Sequence, residues 1–365
     1  MFSVRKFVLA VMPVMVLGRK FLRYHPEDLP VSYGDLDDVP GLFDLAASLT
    51  KAQNASVDSW WTSTYATSYN GDNYLVITHM IQQSSGVTTR SAVLDLTTYA
   101  YSQTQNISQN STFYNPTTGL ADLKGPGFTM KAISDTNPLV GFHVETNVPD
   151  VHINLTFNTR SPALVNGGTG AFVLSGILSY EWAIPEARTS GTLTVNGTEI
   201  ELDPNHSITW FDRQWGGQTS PIVTTKSSTG AASWHWFQLH ISSCGSCSTT
   251  KVLLSGWVVT YENGPKAQFA TVRQSPGVQQ VLAISSMDAT GRTWTSPYTN
   301  ITYEQDFKLK LGDGSYFKLA VVTEDQEMHS DNGASPAYEG YLEFTGIYQG
   351  HAVSGFGLVE IVKSF

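Results

Sequence analysis

Charge is scarce in this 365-residue chain: Asp, Glu, Lys and Arg together make up 14% of it. The 21 Lys and Arg are outnumbered by 31 Asp and Glu, for a formal net charge of −10, and no basic cluster occurs beyond the N-terminal segment. Phosphate recognition needs a basic stripe, so nucleic acids and other polyanions are excluded as partners. Cysteine is nearly absent too, with Cys244 and Cys247 the only two. Two thiols without a paired His spacing nearby do not make a zinc site. The usual redox reading of Cys-x-x-Cys lacks the helix that should follow it. No apolar run reaches the roughly 20 residues of a membrane span. The best one, Phe7 to Leu17, contains Pro13 and is closed by Arg19 and Lys20. With Arg5 and Lys6 ahead of it and Gly18 behind, it has the build of a signal peptide cleaved after Gly18, not of an anchor. Gly-x-Ser-x-Gly, His-Glu-x-x-His, a phosphate-binding Gly-rich loop and a dinucleotide fingerprint are all missing, which sets aside common hydrolase, metalloprotease and oxidoreductase chemistry. No metal and no cofactor is expected.

What the chain does have is aromatics, at 12%, with 31 Gly and 16 Pro, a composition for short strands and many turns. Asn-x-Ser/Thr acceptors begin at Asn54, Asn106, Asn110, Asn154, Asn196, Asn205 and Asn300. Together with the N-terminus they point to a glycosylated protein of the secretory pathway, secreted or vacuolar. In that oxidising compartment Cys244 and Cys247 read as a small disulfide clipping a hairpin tip.

Periodicity predicts an all-β fold. Ser59 to Ser68 and Tyr74 to Gln82 flank Asn70-Gly71-Asp72-Asn73, a hairpin signal. Alternation puts Leu75, Ile77, His79 and Ile81 on one face of the second run. It likewise puts Val151, Ile153, Leu155 and Phe157 on an apolar face, with His152, Asn154 and Thr156 turned outward. Further turns fall at Asn196-Gly197, Asn263-Gly264, Asp313-Gly314 and Gln349-Gly350. Helical periodicity is confined to a short stretch, Leu42 to Lys51. The partition is a signal peptide at 1–18, a leader at 19–58, and β-modules at 59–222 and 223–365, joined through a Ser/Thr/Gly-rich passage.

One stretch concentrates chemistry: Thr209-Trp210-Phe211-Asp212-Arg213-Gln214-Trp215-Gly216-Gly217. A charge turned into a β-core is costly unless paired, so the cluster has a purpose. Asp212, Arg213 and Gln214, with His79, are the candidate polar groups. On a regular strand Arg213 faces away from Asp212 and Gln214, so only one set meets a ligand. Trp60, Trp61, Trp215, Trp234, Trp236 and Gln238 are the candidate cavity walls, and Glu181 is a spare acid. The alternative is structural: ion pairs for the charges, core positions for the indoles, a satisfied core histidine for His79.

The Trp210–Gly216 motif resembles the lipocalin-like family of the hydroxyneurosporene and kievitone hydratases, which includes fungal Diels-Alderases. Trp60-Trp61, Trp234-His235-Trp236-Phe237 and Tyr338-Glu339-Gly340-Tyr341 with Gly355 extend the match. The resemblance implies two lipocalin-like β-modules with a ligand cavity at or between them, and cofactor-independent chemistry on an apolar terpenoid or polyketide. It puts first a secondary-metabolite cyclase guiding a Diels-Alder or hetero-Diels-Alder addition, with or without a preceding dehydration to a quinone methide. A kievitone-type hydratase and a non-catalytic carrier are the alternatives.

Overall fold

The computed structural model describes Tyr24, Pro26 and residues 42 to 363, apart from residues 53–54, 84–85, 116, 175–176, 218–228, 244–250, 264–265, 275–277 and 334. The signal-peptide segment, most of the leader, Asn54, Cys244, Cys247 and most of the passage between the modules lie outside the described residues.

Among the described residues there are twenty-five strands, one short helix, α1 (Leu45–Ser48), and a 3-10 turn at Pro138–Val140. The helical stretch is only four residues long: Asp44 caps its start through the Ala47 amide, and the Ser48 hydroxyl donates back to the Leu45 carbonyl. The first sheet contains β1 (Val57–Thr67), β2 (Asn73–Gln83), β3 (Gly86–Asp95), β4 (Tyr101–Ser108), β5 (Thr112–Tyr114), β6 (Ala121–Gly125), β7 (Phe128–Ala132), β8 (Gly141–Val148), β9 (Val151–Thr159), β10 (Leu164–Val165), β11 (Ala171–Leu174), β12 (Ile177–Val195), β13 (Thr198–Glu201) and β14 (Ile208–Gly216). Its main order is β4-β3-β2-β1-β14-β12-β9-β8-β7-β6-β5. The sheet curls into a half-barrel, so that Ser91 on β3 meets Thr146 on β8 at 2.9 Å.

The second sheet is built from β15 (Thr229–Ser243), β16 (Val252–Asn263), β17 (Ala267–Gln274), β18 (Val278–Ala289), β21 (Asp306–Leu311), β22 (Tyr316–Val321), β23 (Glu327–Met328), β24 (Ala337–Tyr348) and β25 (His351–Val362); the short β19 (Thr293–Thr295) and β20 (Thr302–Glu304) pair with each other. Pairing of β22 with β24 closes eight antiparallel strands into a barrel. The all-β, two-module expectation is borne out. At Gly355 on β25 only glycine fits, because a Cβ would lie 2.1 Å from the His240 carbonyl oxygen.

Alternation along the strands decides where any cavity can lie. The barrel lumen is filled by Phe237, Leu239, Leu254, Val272, Phe317 and Val359. The half-barrel encloses its own core around Trp60, Met80, Phe142, Trp182 and Phe211. A further cluster joins the remaining faces of both: Trp61, Leu75, Ile77 and Trp210 pack against Trp236, Trp257, Tyr341 and Leu358. Burying one such side chain contributes roughly 2 kcal/mol, and a one-residue slip would turn the whole set over. Both interiors are therefore packed, and the seam between the modules is left to hold a ligand.

Candidate active site

Strand register carries scattered polar residues to that seam. β1 lies between β2 and β14, so Arg90 (β3), His79, Trp61 and Asp212 stand in one row across four strands. The neighbouring row holds Ile81, Ser59, Gln214 and Glu181. On the barrel wall Trp257, Trp236, Glu360 and Glu339 form a third row. Asp212, His79 and Gln214 from one module and Trp234, Trp236 and Glu360 from the other line a cavity of about 380 Å³.

The site contains two carboxyl pairs, each with one member at the cavity and one behind it. In the first pair, Glu181 is fully buried and accepts from Asn166 Nδ2 at 2.6 Å and Trp257 Nε1 at 3.2 Å. Burial, followed by the neighbouring Asp212, pushes its carboxyl well above the usual range, so it is neutral and hydrogen-bonds to Asp212. Burial also raises Asp212, to about 7, while hydrogen bonds from Trp210 and Glu181 hold it back. In the second pair, Glu339 accepts from Trp61 Nε1 at 3.3 Å and is pushed well up by burial and by Glu360. Glu360 accepts from Trp234 Nε1 at 2.5 Å. Each of the four carboxyls thus takes one indole N–H, so the tryptophans position acids as well as wall the cavity.

His79 binds the Ser59 hydroxyl through Nε2 at 2.9 Å. Burial, with the Arg90 charge beside it, holds its imidazole well below the usual range, so it is a neutral polar group. Trp61 and Trp215 line the cavity; Trp60 does not. It points into the half-barrel core, because neighbours on a strand face opposite ways.

Arg213 likewise turns away from the cavity. Its Nη2 pairs with Asp58 at 2.5 Å, and its other N–H groups reach the carbonyls of Ser48, Thr50, Ser59 and Gln214. The guanidinium lies 4.3 Å from the Trp60 ring and 4.9 Å from Trp215. It clamps the segment after α1 onto the sheet, and this is a structural placement rather than a catalytic one. Gln238, expected as a cavity wall, does not line the cavity: it is fully buried, bound to Ser63 at 2.7 Å and to His240 at 3.0 Å. Ser59, Arg90, Trp257, Glu339 and Glu360 were not singled out as chemical groups from the sequence. The signal for Glu360 was present: one acid inside the apolar run Leu358 to Val362.

Among the described residues, no group of three His, Cys, Asp or Glu is placed to hold a metal ion. No described helix is long and apolar enough to cross a membrane.

Fold and site together define a two-module β-protein with an aromatic seam cavity bordered by two carboxyl pairs. The chain belongs to the AttH-like family, whose model matches residues 78–363. It is 33% identical over 344 residues to kievitone hydratase of Fusarium solani subsp. phaseoli, covering 93% of this chain and 91% of that protein. To dehydratase asqC of Emericella nidulans it is 31% identical over 346 residues, 93% of each. The crystal structure of kievitone hydratase from Nectria haematococca matches with a TM-score of 0.80 at 30% identity, over 93% of this chain and 98% of that one. A putative AttH from Nitrosomonas europaea matches with a TM-score of 0.69 at 15% identity, over 91% of this chain and 99% of that one, and shares the fold. The resemblance read from the Trp210–Gly216 motif is borne out at the level of the family.

Proposed function

We propose that the protein is a cofactor-independent enzyme that adds water to, or removes it from, a carbon–carbon double bond of an apolar small molecule held in the seam cavity. The observation that carries this reading is Asp212, a cavity-lining carboxyl raised to about 7 by burial and backed by a neutral Glu181. A group that titrates near neutrality gives and takes protons efficiently. The relatives support the same chemistry, one being named a hydratase and the other a dehydratase.

In hydration the Asp212 O–H gives its proton to one alkene carbon, and the π pair becomes the new C–H bond. The other carbon becomes cationic beside the Trp61, Trp236 and Trp257 indoles, whose faces attract positive charge. Water adds there through oxygen and loses a proton. Dehydration is the reverse.

A cycloaddition, placed first from the sequence, moves no proton and by itself gives Asp212 and Glu181 no work. It enters here as a second step: where loss of water leaves a reactive quinone-methide-like alkene, the same aromatic walls orient its addition to a partner alkene. A carrier gains nothing from buried carboxyls, each costly to desolvate.

The test is incubation of the purified protein with kievitone, 2-prenylphenol and a set of benzylic alcohols in H2(18)O, with chiral analysis of products. Catalysed uptake of label is expected, either into the tertiary alcohol of a prenyl chain, which has no new stereocentre, or into one enantiomer of a chiral benzylic alcohol. Products formed only at the uncatalysed rate, without enzyme-dependent label, would contradict the reading.

A further inference from the structure

We infer that Glu360, backed by Glu339, is the second catalytic group, which handles the proton of water while Asp212 handles the proton of carbon. The inference rests on the hydration and dehydration reading above and assigns its second half.

Glu339 and Glu360 stand directly opposite each other on β24 and β25. Two carboxylates at that spacing repel unless they share a proton. The geometry says which one keeps it. Glu339 is fully buried, and its Oε1 accepts from Trp61, but Oε2 has no hydrogen-bond partner among the described residues. An unpaired buried acceptor costs about 1–3 kcal/mol. A proton on Oε2 removes that cost by turning the atom into a donor toward Glu360. Glu360 is then the charged member, and it is the one that lines the cavity. Its charge is held by the Trp234 N–H, and Arg90, another lining residue, is close enough to act electrostatically on both acids.

The two pairs are also coupled to each other. The charge of Glu360 is one of the causes that raise Asp212 and Glu181. One wall therefore offers a proton and the other a negative charge, the division of labour that adding H and OH across a double bond needs. In hydration, as Asp212 protonates carbon, the water oxygen forms the C–O bond and its surplus proton passes to the Glu360 carboxylate. The overall change is alkene plus water to alcohol. Asp212 has then lost a proton and Glu360 gained one, and exchange with solvent at the cavity mouth resets both. In dehydration Glu360 returns its proton to the departing hydroxyl. The acid comes from the half-barrel and the base from the barrel, so neither sheet holds a complete site.

The test follows 2-prenylphenol and its tertiary alcohol with the full-length protein, in H2(18)O for oxygen uptake and in D2O for deuterium washed into the alkene. The ratio of oxygen uptake to deuterium wash-in isolates the water step from protonation of carbon. In Glu360→Gln this ratio is expected to fall at least tenfold, with an unchanged melting temperature. In Asp212→Asn both exchanges should fall together, leaving the ratio as in the wild type. Glu339 acts through Glu360 and is a positioning residue: Glu339→Gln, which keeps an N–H in place of the O–H, should hold the ratio within threefold, whereas Glu339→Ala should lower it. An unchanged ratio in Glu360→Gln, or loss of both exchanges in that variant while it remains folded, would overturn the assignment. Absence of both exchanges in the wild type would instead sink the hydration and dehydration reading itself for prenylated phenols.

Discussion

Glu181 sits behind Asp212 on the adjacent strand, and the two carboxyl groups hydrogen-bond, with the proton on the fully buried partner. The arrangement costs stability. The fold holds Asp212 at about 7 against an ordinary value of 3.8, so it favours the neutral acid. That preference is fully present below about pH 4 and is lost as pH rises to about 7. The difference is on the order of 4 kcal/mol. Asp212→Asn should therefore melt several degrees above the wild type at pH 8 and show no advantage at pH 4. Thermal melts at the two values check this, and equal shifts at both would contradict it.

Arg213 and Asp58 are both buried, and each is the other's charge partner. Removing one member of such a pair leaves an uncompensated buried charge, at a cost of about 3–5 kcal/mol. Arg213→Ala should lower the denaturant midpoint markedly. Because the guanidinium does not face the cavity, kcat/KM of the folded fraction should stay within a few-fold of wild type.

Trp236 supplies cavity wall, and its own N–H goes to Ser255 at 2.9 Å, not to a carboxyl. Trp236→Ala should mainly weaken binding, raising KM about tenfold or more through lost apolar contact. Trp257→Phe keeps the ring but removes an N–H from Glu181. Its larger effect should fall on kcat.

The proposal that the chain is secreted and glycosylated has its own test. Asn106, Asn110, Asn196, Asn205 and Asn300 are exposed, and Asn154 is half-buried on β9. Asn205 lies in the turn before β14, and Ile208 to Asp212 adds about 13 Å of extended strand, so a glycan there is directed away from the cavity. Expression in a eukaryotic secretory host should give protein whose mass falls on treatment with an N-glycosidase. An unmodified intracellular product would contradict the proposal.

How much the sequence could show follows from how far each feature reaches along the chain. Alternation is local, and it correctly placed Leu75, Ile77 and the Val151–Phe157 face inward. It also separated Arg213 from Asp212 and Gln214. The same rule separates Trp60 from Trp61, so the two cannot both be cavity walls. The Glu339–Glu360 pair was not legible. It depends on the register of β24 with β25, fixed by a turn, and on which barrel face meets the half-barrel. Nothing local distinguishes a seam face from a lumen face when both are lined with aromatics. Glu181 was visible only as an isolated acid between Tyr180 and Trp182; its meaning comes from Asp212, 31 residues further along the chain.

The central claim is that Asp212 passes the proton of carbon, and the pH dependence of kcat/KM in the two directions tests it most directly. Hydration needs Asp212 protonated, so its rate should fall as pH rises through about 7. Alkene plus water and alcohol differ by no free proton, so the ratio of the two kcat/KM values is an equilibrium constant independent of pH, and dehydration, which starts with that same proton on Glu360, should fall over the same range. Parallel falling limbs near pH 7 in the two directions, both lost in Asp212→Asn, are the expected result. Rates that do not change through pH 7, or limbs that survive in Asp212→Asn, would contradict the account.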